Sequence, residues 1–305
     1  LTHIHFIVNP IAGHGTSSLT REFLEGFFVK NHHQLTVKHS EYKKHATELT
    51  KNSILEGADI IVACGGDGTI NEVASCLVGT KIPLGIVPVG SGNGLASNLG
   101  VPKNLRRSLA VIKNGHIVEI DTGSINENYF FSNTGVGFDA SIIKNYESSE
   151  RHTLIGYLKA CLISFKESET NMDMKIRAND MEMRVNPFLI FISNSNEMGY
   201  KVSLTPKASL QDGLLDVMII SKIGRLKMIW LGILMLFKRP YLLKEATSFQ
   251  TRNLELYSQD REHFDSQIDG ELHQINSRRV SIQIRDRALK VIVPDSKNLN
   301  EKIVD

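Results

Sequence analysis

The chain has 305 residues, of which 41% are hydrophobic and 22% charged, with a formal net charge of +2. That length holds one large domain or two ordinary ones, and so balanced a charge gives no reason to expect a nucleic-acid partner. Cys64, Cys76 and Cys161 form an odd set within mostly apolar patterns and lack metal-ligand spacing, which argues for reduced, buried thiols in a cytoplasmic protein and against zinc.

The first apolar stretch, Ile4 to Val8, is strand-length and runs straight into Asn9-Pro10, which is not the pattern of a secretory signal. It opens onto Ile11-Ala12-Gly13-His14-Gly15, followed by a helical pattern at Leu19, Phe23, Leu24 and Phe27. A second strand is expected near Val37 to Ser40. Next, Ile60-Ile61-Val62-Ala63 reads as a fully buried strand and leads into Cys64-Gly65-Gly66-Asp67-Gly68-Thr69. After it Ile70, Val73, Ala74 and Leu77 recur at helical spacing until Gly79 ends the pattern. Leu84 to Pro88 is another strand, followed by Val89-Gly90-Ser91-Gly92-Asn93-Gly94, and Leu105, Leu109 and Ile112 share one helix face. Glycines allow backbone to approach a ligand closely, and a following helix start favours negative charge, so these strand-to-helix turns are expected to hold phosphates.

Beyond about residue 121 the pattern changes. Ile117 to Ile120, Tyr129 to Ser132, Met172 to Ile176, Phe188 to Ser193, Leu215 to Ile220, Asn253 to Leu256 and Val280 to Ile284 are strand-like runs between turn residues. They predict a β-rich second domain, a sandwich, with a helix over Leu154 to Phe165 inserted. The expected fold is therefore an α/β, doubly wound, Rossmann-like N-terminal domain over 1–121 and a β-sandwich over 122–284. The longest apolar run, Met228 to Phe237, would span roughly 15 Å as a helix against about 30 Å of bilayer hydrocarbon, so it cannot cross a membrane. Two readings of it stay open: a core helix or lid, or a segment lying on a membrane, given its flanking Lys227 and Lys238-Arg239 and its Trp230.

In combination these motifs resemble the soluble diacylglycerol kinase and sphingosine kinase family of lipid kinases over essentially the whole chain. Those that carry the likeness are Asn9-Pro10 with its glycines, Ser40 with His45-Ala46, Gly65-Gly66-Asp67-Gly68-Thr69 and Gly90-Ser91-Gly92-Asn93. Later come Gly135-Val136-Gly137-Phe138-Asp139-Ala140, Pro206-Lys207-Ala208 with Asp212-Gly213-Leu214-Leu215-Asp216, and Asp269-Gly270-Glu271. Ser91 stands where many bacterial members have Thr, and Gly94 where they have an acidic residue or Asn, which looks more like the sphingosine kinases.

The resemblance implies ATP-dependent phosphorylation of a hydroxyl on a membrane-derived lipid, with magnesium bridging the nucleotide phosphates. It implies nucleotide contacts at Asn9, Pro10, Gly13, Ser40, Gly65, Gly66, Asp67, Gly68, Thr69, Asn71, Glu72, Ser91, Gly92 and Asn93. It assigns the general base to Asp269 beside Glu271, with Asp67 as the rival; taken alone, Asp269 is better explained by a plain Asp-Gly hairpin, and the full set of motifs is what favours catalysis. Ser209, Asp212 and Leu214 resemble a structural magnesium site, which sequence alone does not separate from a polar turn. Asp139 is a candidate for the lipid head group, and Leu158 and Leu162 for an acyl pocket, though a helical apolar stripe is usually plain core.

The family's plan also returns the chain's end, 285–305, to the first domain. Expected localisation is cytoplasmic with transient membrane association; a homodimer is left open. NAD kinase shares the Asp67 signature, but the Asp212-Gly213 and Asp269-Gly270-Glu271 motifs favour the lipid branch. A dinucleotide-binding oxidoreductase fits poorly, since Gly13-His14-Gly15 lacks a third glycine at the right offset and no acidic residue ends the second strand.

Overall fold

A computed structural model describes residues 1–13, 19–28, 32–90, 93–137, 173–196 and 203–295. The chain divides into two compact units, Leu1–Ile120 with Arg287–Asp305, and Asp121–Asp286.

In the first unit, strands β1 (Thr2–Val8), β2 (His33–His39), β3 (Ile60–Gly65) and β4 (Leu84–Pro88) are parallel, in spatial order β2-β1-β3-β4. Helices α1 (Arg21–Phe27), α2 (His45–Leu55), α3 (Asp67–Leu77), α4 (Gly94–Asn98) and α5 (Leu105–Asn114) follow or separate them. The inner strands β1, β3 and β4 are mainly apolar because both faces are covered, whereas the edge strand β2 buries only Leu35 fully. Ile4, Phe6, Val8, Val62 and Val87 pack with Leu24 and Phe28 of the α1 region and Leu109 and Ile112 of α5. Alternate residues His5, Ile7, Ile61 and Ala63 point the other way, and α2 and α3 pack on β1 and β3.

Caps fix two of the helix starts: the Thr20 hydroxyl accepts the Phe23 N–H at 3.2 Å before α1, and Asn104 accepts the Arg107 N–H at 3.1 Å before α5. From β1 the chain moves to one side, and from β2 it crosses back to β3, so the strand order reverses between β1 and β3. That reversal is where open α/β sheets bind ligands, outside the strands' carboxyl ends.

The second unit opens in strand β5 (His116–Ile125) and holds β6 (Asn128–Phe130), β7 (Asn133–Gly137), β8 (Met174–Ala178), β9 (Met181–Val185), β10 (Pro187–Ser193) and β11 (Leu215–Ser221). Helix α6 (Arg225–Leu236) and a 3-10 turn (Pro240–Leu242) come next. Then follow β12 (Ala246–Thr251), β13 (Asn253–Tyr257), β14 (Phe264–Ile268), β15 (Glu271–Ile275) and β16 (Arg279–Val293). Six strands form one antiparallel sheet in the order β12-β11-β10-β7-β14-β15. Facing it, β13 lies between β8 and the start of β16, with β9 outside β8. Ile190, Ile192, Val217 and Ile219 interdigitate with Ile176, Leu254, Leu256, Val280 and Ile282 to form the core, which is the expected sandwich. At its other end β16 runs in the first unit, where Val291 is in parallel register with Leu84 of β4.

The period of two puts Leu189, Phe191, Met218 and Ile220 on the opposite face of the six-stranded sheet, where Leu231 and Leu234 of α6 cover them. So α6 exists where the apolar run predicts a helix, but only Leu231 and Leu234 of it are buried. It is not a core helix. Among the described residues no helix is long and apolar enough to cross a membrane. The expected helix over Leu154 to Phe165, with Asp139, Leu158, Leu162 and Cys161, lies outside the described residues.

Candidate functional site

At the carboxyl ends of the parallel strands, the turn after β1 and the turn after β3 are tied across the switch point. The Asn9 Nδ2 donates to Thr69 Oγ1 at 3.1 Å, while the Asn9 N–H donates to the Cys64 carbonyl at 2.9 Å. Asn9 also organises its own turn, since its Oδ1 accepts the Ile11 N–H at 3.2 Å and its carbonyl the Ala12 N–H at 3.2 Å. Pro10 and Gly13 are exposed in that turn. Gly13 has φ +59, and a Cβ there would lie 2.0 Å from the Val89 carbonyl oxygen, so the first turn touches the fourth through a position only glycine can fill. Ser40, buried at the end of β2, donates its N–H to Val8 at 2.9 Å.

The turn after β3 passes through Gly66, which precedes α3 in extended conformation and lends it no side-chain cap. Gly68 and Thr69 lie in the first turn of that helix. Asp67, its first residue, turns its carboxylate to the next turn: Oδ2 accepts the Asn93 N–H at 2.7 Å and Oδ1 the Gly94 N–H at 2.8 Å. These bonds hold Asn93 in the left-handed region, φ 56, at the start of α4. Gly90 closes the same joint, because a Cβ on it would come within 2.6 Å of the Gly66 Cα. Asp67 is thus the clasp between two glycine turns. Glu72 accepts the Lys44 N–H at 3.0 Å, which ties α3 to the start of α2, while Asn71 accepts the Ser75 hydroxyl at 3.2 Å within α3. The Asn93 Oδ1 is buried with no hydrogen-bond partner among the described residues. Ser91 and Gly92 lie outside the described residues.

In the second unit Asp269 and Gly270 are the two-residue loop between β14 and β15, both with φ above zero, at 48 and 86. That is the requirement of a type I′ hairpin, and it is why an Asp-Gly pair stands there. The Asp269 carboxylate accepts three backbone N–H groups, from Phe131 at 2.9 Å, Ser132 at 2.8 Å and Asn133 at 3.1 Å. An ionised carboxylate, being an acceptor only, satisfies all three. Its own N–H returns to the Asn133 carbonyl at 2.9 Å. Glu271 begins β15 opposite Ile268 and is exposed.

Around Asp269 lies a polar network that the sequence reading missed. Gln267 donates to Asn133 Oδ1 at 2.7 Å and accepts the Gly270 N–H at 2.8 Å, and the Thr134 hydroxyl donates to the Gln267 carbonyl at 2.7 Å. Asn194 donates to the carbonyls of Asp121 and Phe131 at 2.8 and 3.1 Å. Asp121 itself is fully buried and accepts the Gly213 N–H at 2.7 Å. No local pattern marks these residues, because apart from Gly270, three positions from Gln267, their partners are 63 to 134 positions away.

The Ser209 to Leu214 segment is a polar turn by its bonds. Ser209 Oγ accepts the Gln211 N–H at 3.3 Å, and Asp212 Oδ1 accepts the Leu214 N–H at 3.1 Å. Gln250 donates to both Asp212 and Asp216, at 3.3 and 3.1 Å. Burial, and secondarily the charge of Asp212, push the Asp216 carboxyl above its ordinary value, while the Gln250 hydrogen bond pulls it down. Among the described residues no three His, Cys, Asp or Glu side chains gather closely enough to form a metal site by themselves.

A parallel-sheet unit with clasped glycine turns, joined in one chain to an antiparallel sandwich, defines a two-domain α/β plus β-sandwich class of protein. The comparisons with known proteins narrow it. Residues 3–125 match the diacylglycerol kinase catalytic domain, and residues 132–293 the YegS C-terminal NAD kinase beta sandwich-like domain. The chain belongs to that lipid kinase family. It is 32% identical over 184 residues to a diacylglycerol kinase of Bacillus subtilis (strain 168), covering 58% of this chain and 60% of that protein. To a diacylglycerol kinase of Staphylococcus carnosus it is 29% identical over 183 residues, covering 58% and 59%. The aligned part thus spans less than two thirds of these relatives' length. A crystal structure of a diacylglycerol kinase from Bacillus anthracis superposes with TM-score 0.70 at 18% identity, covering 96% of this chain and 97% of that one. At that identity the likeness is one of fold.

Proposed function

We propose that the protein transfers the terminal phosphoryl group of ATP to a hydroxyl of a membrane-derived lipid. The observation that carries this reading is the clasp at the switch point, where the turns after β1, β3 and β4 are locked to one another by Asn9, Thr69 and Asp67 and by glycine contacts no side chain can replace. Backbone packed that closely, at the start of an uncapped helix, suits the oxygens of a polyphosphate. The unpartnered Asn93 Oδ1 adds a polar group awaiting a partner at that edge.

Asn9, Pro10, Gly13, Ser40, Gly65 through Asn71, and the Gly90–Asn93 turn with Ser91 and Gly92, are the proposed nucleotide contacts. Thr69 and Ser40 offer hydroxyl donors and the glycines offer amides. Asp67, both of whose oxygens already receive an N–H, acts by holding the cradle's shape. Magnesium, when bound with the nucleotide, would neutralise charge on the phosphates. Asp269 is the proposed base for the acceptor hydroxyl, on the strength of the Asp-Gly-Glu likeness, with Glu271 beside it. The three amides that hold Asp269 fix its direction but also make it a structural residue, and any test must separate the two roles. A second cation at Ser209, Asp212 and the Leu214 backbone is supported by the facing Asp212 and Asp216 carboxylates, whose mutual repulsion a cation would relieve.

The experiment is transfer of label from radioactive ATP to diacylglycerol, monoacylglycerol, sphingosine, ceramide, undecaprenol, phosphatidylglycerol and NAD. A labelled lipid is expected; label in NAD alone overturns the proposal. Asp269→Asn, with its melting midpoint measured alongside, should still bind nucleotide while transfer is lost. A well-folded, fully active variant removes Asp269 as the base.

A further inference from the structure

Helix α6 carries apolar side chains on both its inner and outer faces, and the sheet covers only the inner one. Met228, Leu231, Leu234 and Met235 face the cluster on β10 and β11. Leu226, Ile229, Trp230, Ile233, Leu236 and Phe237 face outward, with Leu226 at 84%, Phe237 at 72% and Trp230 at 51% exposure. At 100° per residue these six fall within an arc of about 120°, opposite the buried four. Tyr241 and Leu242, on the 3-10 turn that follows, extend the same apolar surface at 49% and 57% exposure.

The charges of this segment are all of one sign. From Lys222 to Lys244 the sequence has Lys222, Arg225, Lys227, Lys238, Arg239 and Lys244, and no Asp or Glu. The segment therefore carries +6 in a chain whose total is +2, leaving −4 for the remainder. All six cations are exposed. Lys227 is ion-paired with Glu245, at one side of the helix. Lys222 and Arg225 stand at the amino end of α6, Lys238 and Arg239 at its carboxyl end, so the outward stripe of aliphatic and aromatic side chains is bracketed by positive charge.

We propose that this face of α6 with the Pro240–Leu242 turn is a docking surface for an anionic lipid bilayer, with the helix lying in the plane of the interface. A stripe of Leu, Ile, Phe and Trp bounded by Lys and Arg is the composition of interfacial helices, and Trp230 and Tyr241 are the ring types that settle at the headgroup level. A second copy of the chain fits the face poorly, because even with Lys227 paired to Glu245 it would set two clusters of like positive charge against each other around the apolar contact. The proposal deepens the lipid kinase reading by giving the enzyme a route to an acceptor it would meet in a membrane.

Trp230 is the only tryptophan in the sequence, so intrinsic fluorescence reports on this helix alone. The probe is sucrose-loaded vesicles of phosphatidylcholine, alone or with about 30 mol% phosphatidylserine, free of nucleotide and of every lipid in the acceptor panel. Expected are a blue shift of Trp230 emission and quenching by brominated acyl chains, stronger on the anionic vesicles. Ile233→Asp with Phe237→Asp, both at exposed positions, should lower partitioning at least tenfold. Lys238→Glu with Arg239→Glu should abolish the anionic preference, at about fivefold per cation. Emission unmoved by either vesicle overturns the proposal. So does a blue shift that rises with protein concentration without lipid, together with a dimer mass in sedimentation, since that makes a second copy the occupant. Binding is scored without catalysis, so vesicle binding by a chain that transfers no phosphate would sink the kinase reading and leave this one standing.

Discussion

Asp67 and Asp269 are both gripped by backbone amides, but their donors come from very different distances along the chain. The donors to Asp67 are Asn93 and Gly94, in the next strand-to-helix turn, 26 and 27 residues on. Those to Asp269 are Phe131, Ser132 and Asn133, 136 to 138 residues earlier. In the first unit the grip is one part of a steric joint, because Gly13 and Gly90 bring backbones together regardless of the carboxylate. In the second the carboxylate supplies three of the joint's hydrogen bonds, beside the one from the Asp269 N–H to the Asn133 carbonyl. The hairpin tip meets the Phe131–Asn133 segment through these bonds, with Gln267 and Asn133 bonded alongside. Removing a side chain should therefore damage the second unit more, and adding one should damage the first.

The largest effect follows from Asp269→Ala, which leaves three donors without their acceptor. A loss of about 2–4 kcal/mol is expected, since hydrogen bonds to charged groups are the stronger ones and the orphaned donors add their own cost. It would be read as a lower denaturant midpoint, with β14, β15 and β7 amides exchanging faster and the first unit's amides unchanged. Equal loss of protection in both units would erase the contrast. Next comes Gly13→Ala, where the added carbon would sit 2.0 Å from a backbone oxygen at φ +59. Roughly 2–3 kcal/mol is expected from strain and displaced backbone together, with loss of ATP binding measured by calorimetry. Normal nucleotide affinity in a folded variant would show that this turn is not the cradle. Thr69→Val keeps shape and removes the acceptor for Asn9 together with the hydroxyl proposed for the nucleotide, so about 1 kcal/mol of stability is expected to go, with a smaller gain on adding nucleotide, checked by thermal melting with and without it.

The same contrast decides what the sequence reveals. Strands β1, β3 and β4 are buried on both faces, so they appear as apolar runs, interrupted in β1 by His5, and the glycine turns between strand and helix are legible because their causes are local. Strands β7 and β14, in contrast, read Asn133-Thr134-Gly135-Val136-Gly137 and Phe264-Asp265-Ser266-Gln267-Ile268. Their buried polar groups find partners in each other and in distant loops, and no period of two in hydrophobicity survives. Strand β12 is missed for another reason, as an edge strand with mostly exposed residues. Asp269 was visible as an Asp-Gly turn, yet its three donors were not. Helix α6 shows the limit most plainly: with apolar residues on both faces, periodicity cannot say which face the sheet takes, and the core reading of it fails on six exposed side chains.

The smallest expected effect is confined to the first unit and concerns pH. His5 lies in β1 with only 4% exposure, its Nδ1 without a hydrogen-bond partner among the described residues and 3.7 Å from a Glu56 oxygen. Burial first, then the charge of Lys38, hold its imidazole below its ordinary value of 6.5, against the pull of Glu56 in the other direction. The folded chain thus keeps His5 neutral where the unfolded chain takes up a proton. By linkage the stability this provides is present above about 6.5 and falls as pH drops below that value. Glu56 is held below its ordinary 4.5 chiefly by its hydrogen bond from Lys38, so its contribution is lost only at still lower pH. Between pH 7 and 5 the two are separable. A His5→Asn variant should start less stable at pH 7, yet lose less on acidification, measured as the difference in denaturant midpoint between the two pH values. An unchanged difference would mean that His5 takes up its proton equally in folded and unfolded chains, and that the buried face of β1 tolerates the charge.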